Sequence, residues 1–302
     1  MPVVSISLIE NVLRDMQGQP AWPSVSSALA TLARGAPVII LLHGFKYAPG
    51  DAAHCPHDHI LSPTPSGANK RSVSWPRHLG YGRGDPKEGL CIAVGWPARG
   101  SFRTARRRAA ETGERLAELI SMISATHGPS HLLAHSLGAE VALTALGRAG
   151  PDSVGRIVLM AAAARQSSAQ SALDSPAGKS AEVVNVTSRE NRLFDLMYRV
   201  ASLAPGRSGR TLGAGLGAAR TGWVDLAIDA PLTRAHMAEL GHRIPAPTRR
   251  VCHWWGYLRP GLFGLYRALL RGDGALTLAD LRPPAPHMTL PRPLPLRRKW
   301  PC

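Results

Sequence analysis

A chain of 302 residues with 44% hydrophobic content is long enough for one large α/β domain, or two small ones, with a real core. Its net charge of +16 gathers partly at Arg103, Arg106, Arg107 and Arg108 and again at Arg292, Arg297, Arg298 and Lys299. Charge alone gives only non-specific attraction to anions, and with 5% aromatics and no nucleic-acid-binding motif a specific nucleic-acid partner is not expected.

In chain order, the opening MPVVSISLIENVLRDMQ is broken by Glu10 and Asp15 and lacks a basic start, so it makes a poor signal peptide. No later run reaches about 18 apolar residues, and no transmembrane helix is expected. Pro37–Leu42 is a β-rich apolar run that reads as a buried central strand ending in His43-Gly44-Phe45. Residues 46–89, rich in Pro, Gly, His and Ser, read as a long loop insertion. Leu90–Val94 is a second buried strand, and roughly 101–126 is a helix whose Leu116, Leu119, Ile120 and Ile123 share one face. Strand 131–135, helix 137–148, strand 156–160 and strand 182–187 follow. Residues 162–180 read as loop with some helix, and 192–222 as helical and then loose. The stretch 196–250 is a candidate lid or cap, with a helix over 231–240; a last helix lies near 260–271, and a Pro-rich basic tail occupies 283–302. Strands alternating with helices predict an α/β fold with a mainly parallel sheet covered on both faces. Ligands of such sheets gather at the carboxyl ends of strands, where His43-Gly44, Gly95-Trp96, Ser136, Arg189-Glu190 and His253 all fall.

The most informative stretch is Leu132-Leu133-Ala134-His135-Ser136-Leu137-Gly138. It places Ser136 between a buried strand and a helix, in the pattern A-x-S-x-G. That differs from the G-x-S-x-G of a nucleophile elbow by one small residue for another. A serine N-cap is the plainer alternative.

Together, VIILLHGF, GWPARGS and HLLAHSLGAEVAL resemble the α/β-hydrolase superfamily, in its bacterial serine esterase- and lipase-like members, with EVVNVTSREN and VCHWWGYLRPGLF matching less sharply. The resemblance spans roughly residues 36–270, within a single domain of 1–282. It implies a Ser-His-acid triad that cleaves an ester or related acyl bond through an acyl-enzyme on Ser136, with a small-molecule acyl substrate and no cofactor. The backbone N–H groups of Leu137 and Phe45 would form the oxyanion hole, and His43, Gly44, His135 and Gly138 complete the motifs. The base follows the acid in chain order. His253 is preferred over His242 and His236, with His287 in the tail. The register that best fits the family puts Asn191 where the acid is expected. Glu190 precedes it by one residue and Asp195 lies a helical turn later; Glu190 is slightly favoured, and Asp174 is a third option. A catalytically inactive binding protein of the same fold is the competing reading, and a basic nucleic-acid or membrane-surface binder, resting on charge alone, is a third.

His54-Cys55-Pro56-His57-Asp58-His59 packs potential zinc ligands closely, but its spacing fits no standard site, so no metal is expected. Trp75–Gly82 reads equally as pocket wall or packed loop. Gly213-Ala214-Gly215-Leu216-Gly217 lacks the strand and spacing of a dinucleotide turn and reads as a flexible connection. Four cysteines, Cys55, Cys91, Cys252 and Cys302, without CxxC spacing point to the cytoplasm.

Overall fold

The run Val38–Leu42 is apolar at every position, which a strand tolerates only when both of its faces are covered. The computed structural model, which describes residues 3–65, 73–202, 209–272 and 276–283, places it near the middle of an eight-stranded sheet. In chain order the elements are β1 (Val3–Ile9), β2 (Val12–Asp15), α1 (Ala21–Leu29), β3 (Val38–Leu42), α2 (Trp75–His78), β4 (Leu90–Gly95), α3 (Phe102–Thr126), β5 (Ser130–His135), α4 (Gly138–Arg148), β6 (Val154–Met160), α5 (Gln166–Leu173), β7 (Glu182–Thr187), α6 (Arg192–Ala201), β8 (Trp223–Ala227), α7 (Pro231–Glu239), α8 (Trp255–Leu258) and α9 (Leu262–Arg271). The strand order is β2-β1-β4-β3-β5-β6-β7-β8. Every neighbouring pair is parallel except β1 with β2. That hairpin turns on Glu10 and Asn11 at φ 48° and 61°, the left-handed pair that suits the twist of a two-residue hairpin. This is an α/β fold with a mostly parallel sheet flanked by helices, consistent with an α/β-hydrolase fold.

Alternation along β3 divides the core. Val38, Ile40 and Leu42 join the cluster formed with α1, α3, α4 and α5. Ile39 and Leu41 join the opposite cluster, with Trp75, Met237, Tyr257 and the apolar face of α9. All five β3 residues are essentially inaccessible to water, and burying such side chains contributes about 1.5–3 kcal/mol each. Helix α3 runs 25 residues across one face and opens with Ser101 as its N-cap. It packs against α4 at Gly113, where a Cβ would strike Thr144.

Several expectations need correction. The loop insertion 46–89 is ordered locally where it is described: α2 sits within it, and Trp75 is fully buried against the sheet. The candidate lid 196–250 contains β8, which pairs with β7 from Val183↔Trp223 to Thr187↔Ala227. Its alternation Trp223, Val224, Asp225, Leu226 is too short and too interrupted to announce a strand, and pairing with β7 supplies what propensity does not. Val251 and Cys252, which look strand-like, pair with no strand. The tail from 284 on, with His287 and Arg292 to Lys299, lies outside the described residues.

The second glycine of the elbow pattern has a steric reason. A Cβ at Gly138 would come 2.6 Å from the carbonyl oxygens of both Leu42 and His43. Gly138→Ala should therefore push α4 off β3 and cost about 1–3 kcal/mol, measured as a lowered midpoint of equilibrium urea unfolding.

Candidate active site

The β5 strand ends at His135, and the chain turns into α4 through Ser136, whose φ of 53° is left-handed. A non-glycine residue pays for that conformation, by about 1–3 kcal/mol. Neighbouring backbone holds it there: Ser136 N–H donates to Met160 O at 2.9 Å, and Ser136 O accepts from Ala139 and Ala163, each at 3.0 Å. The turn thrusts the hydroxyl out at the helix start. Ser136 Oγ donates to His253 Nε2 at 2.8 Å, within the reach required of a nucleophile and its base.

His253 comes from the irregular chain ahead of α8, 117 residues downstream. Its ring stacks on Phe194 of α6 at 4.5 Å between centroids, and its carbonyl accepts from His135 Nε2 at 3.2 Å. Burial, with the His135 ring nearby, holds its pKa well below the ordinary 6.5, so the imidazole is neutral and able to accept a proton at neutral pH.

The other ring nitrogen meets an amide. His253 Nδ1–H donates to Asn191 Oδ1 at 2.6 Å, and Asn191 Nδ2 donates to Asp195 Oδ1 at 2.9 Å. Asn191 ends a single 3₁₀ turn, Arg189–Asn191, and Asp195 stands one turn later on the same side of α6. An ionised carboxylate only accepts hydrogen bonds. Asp195 therefore draws the NH₂ end of Asn191 toward itself and leaves the oxygen for His253. Burial raises Asp195 to about 6. A Cβ at Gly213 would fall inside the Asp195 carboxylate, so the glycine-rich stretch walls in that carboxylate.

The slight preference for Glu190 is corrected by the same turn. Successive residues of a 3₁₀ helix point about a third of a turn apart, so Glu190 faces away from His253. Its carboxylate takes a charge-assisted bond from Arg259 and another from Ser188 Oγ at 3.1 Å. Arg259, 2% exposed, also donates to Ile228 O at 3.1 Å. Together with Cys252 N–H donating to Glu190 O at 3.0 Å, this pair ties the segment after β7 to the segment that carries His253. Arg259 is the residue that sequence reading missed; no motif marks a buried arginine. Asp174 lies away from the site, paired with Arg220 at 3.0 Å.

The loop after β3 approaches from the other side. A Cβ at Gly44 would lie 2.8 Å from Ser136 Cβ and 3.0 Å from His135 O, so only glycine lets the backbone pass there. Among the described residues, no protein acceptor meets the N–H of Phe45 or of Leu137. His43 braces this loop. Its Nδ1–H donates to Gly44 O at 2.9 Å, its Nε2 accepts from Trp96 N–H at 3.0 Å, and its ring stacks on the Trp96 indole. Desolvation lowers its pKa to about 3, which keeps both bonds intact across the working pH range. His135, lowered to about 4 by burial, packs edge-on to Trp75 and Tyr257.

The histidines of 54–59 go to separate partners. His57 bonds Ser7, His54 bonds Asp51, and His59 bonds the Ala53 carbonyl. Among the described residues, no three His, Cys, Asp or Glu side chains converge on a point that would hold a metal. His236 bonds the Asp280 carbonyl at 2.7 Å. Most of the early arginine cluster is structural: Arg106 pairs with Glu140 at 2.9 Å, Arg107 with Glu111 at 3.5 Å, and Arg108 donates to the Pro97 and Arg99 carbonyls.

A strained serine between strand and helix, a neutral histidine on its hydroxyl and an α/β sheet beneath them fit the serine hydrolase class. Residues 97–191 match the family model described as serine hydrolase. The matched segment contains Ser136 and Asn191 and stops short of His253. It covers less than half of the chain. No curated protein matches the chain.

Removing Glu190 strands a buried guanidinium. Glu190→Ala should cost about 3–5 kcal/mol, read as a fall in Tm by calorimetry.

Proposed function

We propose that the protein is a cytoplasmic serine hydrolase that cleaves an ester or related acyl bond of a small-molecule substrate through an acyl-enzyme on Ser136. The observation that carries this reading is the Ser136–His253 hydrogen bond at 2.8 Å, formed on a left-handed elbow. Ser136 Oγ attacks the acyl carbon as its proton passes to His253 Nε2. The oxyanion forms beside the N–H groups of Leu137 and Phe45, which act as donors fixed in advance. His253 then protonates the leaving group, and the acyl-enzyme remains. Water attacks it, gives its proton to His253, and the collapse that follows releases the acid and returns the proton to Ser136. Asn191 holds the Nδ1–H tautomer and Asp195 holds Asn191, so no carboxylate touches the base. Carboxylesterase, lipase and thioesterase chemistry all fit this machinery. The three cysteines among the described residues are free, which suits a reducing compartment, and no described helix is long and apolar enough to cross a membrane.

The second reading, a binding protein that has lost the chemistry, draws on one observation: an amide stands where a triad carries its acid. An Asn in that place is damaging when its NH₂ group faces the histidine and fixes the wrong tautomer. The Asp195 carboxylate opposes that orientation here.

A fluorophosphonate probe read by intact mass separates the two. One adduct on the wild type and none on Ser136→Ala is the expected result; a folded wild type that takes no label sinks the hydrolase reading. Asn191→Ala should lower kcat about 10²-fold or more by freeing the tautomer.

The pH profile is specific. His253 is already neutral near pH 6, whereas Asp195 loses its charge as pH falls through about 6. kcat/KM should therefore drop on the acid side near that value. Asp195→Asn should lower activity above that value and remove the limb; a limb unchanged in that variant means Asp195 does not anchor the amide.

A further inference from the structure

Helix α6 has two apolar faces. Phe194 and Tyr198 turn inward, Phe194 onto His253 and Tyr198 onto Phe102 and the Glu140 carboxylate. The outward face carries Leu193, Leu196, Met197 and Val200, exposed by 49, 55, 58 and 59%. Their i, i+3, i+4, i+7 spacing makes one continuous stripe. Ten large apolar side chains are exposed among the described residues, and four of them are these. Scattered exposed apolar residues need no explanation, but a stripe does.

The surroundings say what covers it. Arg192 and Arg199 flank one edge of the stripe, a helical repeat apart and exposed. Exposed Arg103 lies on α3, beside the Phe102 that packs on Tyr198. No described carboxylate pairs with any of the three. The only acid of α6, Asp195, is turned inward to Asn191. An apolar stripe with a cationic border on a surface helix is the pattern of an element that lies in a lipid interface. A second copy of a chain carrying +16 would bring like charges together around the same stripe.

We propose that the outer face of α6 docks on an anionic lipid surface, with Leu193, Leu196, Met197 and Val200 entering the acyl boundary and the arginines meeting the headgroups. Because the inner face of the same helix stacks on His253, and a helix is only about 10 Å across, docking brings the Ser136 site to the interface. On the hydrolase reading above, the substrate is then an acyl ester presented by that surface.

The test is cosedimentation with vesicles of equal parts phosphatidylglycerol and phosphatidylcholine, against pure phosphatidylcholine, over a salt series. The wild type and Ser136→Ala should bind the anionic vesicles alike, so loss of catalysis leaves the result untouched. L196Q/M197Q keeps the charge and should bind about tenfold or more weakly; R192Q/R199Q should weaken binding to a similar degree and flatten the salt dependence. No binding by the wild type, or L196Q/M197Q binding as tightly as the wild type, overturns the proposal. So does a wild-type dimer in sedimentation velocity that L196Q/M197Q converts to monomer, which would give the stripe to a second copy.

Discussion

Everything in the site hangs on one strained residue. With φ at 53°, Ser136 cannot continue β5 and cannot begin α4. It is kept there because β6 offers Met160 O to its N–H while its own carbonyl binds the N–H groups of Ala139 and Ala163. The glycines on either side follow from that turn. Gly138 lets α4 start against the end of β3, and Gly44 lets the β3 loop cross beside the serine. A wider residue at either place would push the β3 loop and the start of α4 away from the serine. The strain is tolerable because β3, β4 and β5 are buried on both sides and cannot relax around it.

His253 is held by a second and independent set of contacts. Its ring is stacked, its Nδ1 is bonded to an amide, and the segment bearing it is clamped by a buried Glu190–Arg259 pair. A buried ion pair adds little net stability, but it fixes geometry by making alternatives costly. The amide–carboxylate relay divides two duties that one acid performs in an ordinary triad: Asn191 provides the acceptor, and Asp195 provides the charge that orients it. The negative charge then sits one side chain further from the imidazole; on the hydrolase reading proposed above, an imidazolium formed during proton transfer gains less from it. The histidine is also a weaker base for being buried, which keeps it neutral at rest.

The central strands were legible because parallel strands buried on both faces are apolar at nearly every position, as in Val38–Leu42 and Leu90–Val94. The elbow was legible because its glycine and serine have steric and conformational reasons that leave few substitutes. β8 was not, since an edge strand needs only one neighbour and Trp223–Ala227 alternates over too few residues. The chain order of Ser136, the segment after β7 and His253 could be read, but not which of three adjacent polar residues would face the imidazole. That is decided by the direction of a single 3₁₀ turn, Arg189–Asn191, which no spacing rule encodes. Asn191 stood in the expected register and did not look like an acid.

The order of the parts along the chain has a consequence during synthesis. The elbow, the β3 loop and the relay segment are all complete by residue 195, whereas His253 lies 117 residues beyond Ser136. At 5–20 residues per second, a ribosome needs roughly 6–23 s to cover that interval. Through it the nascent chain carries Ser136 without His253, and Glu190 waits for Arg259 to close the clamp. The Ser136 hydroxyl therefore has no imidazole beside it until His253 has emerged and the segment bearing it has folded.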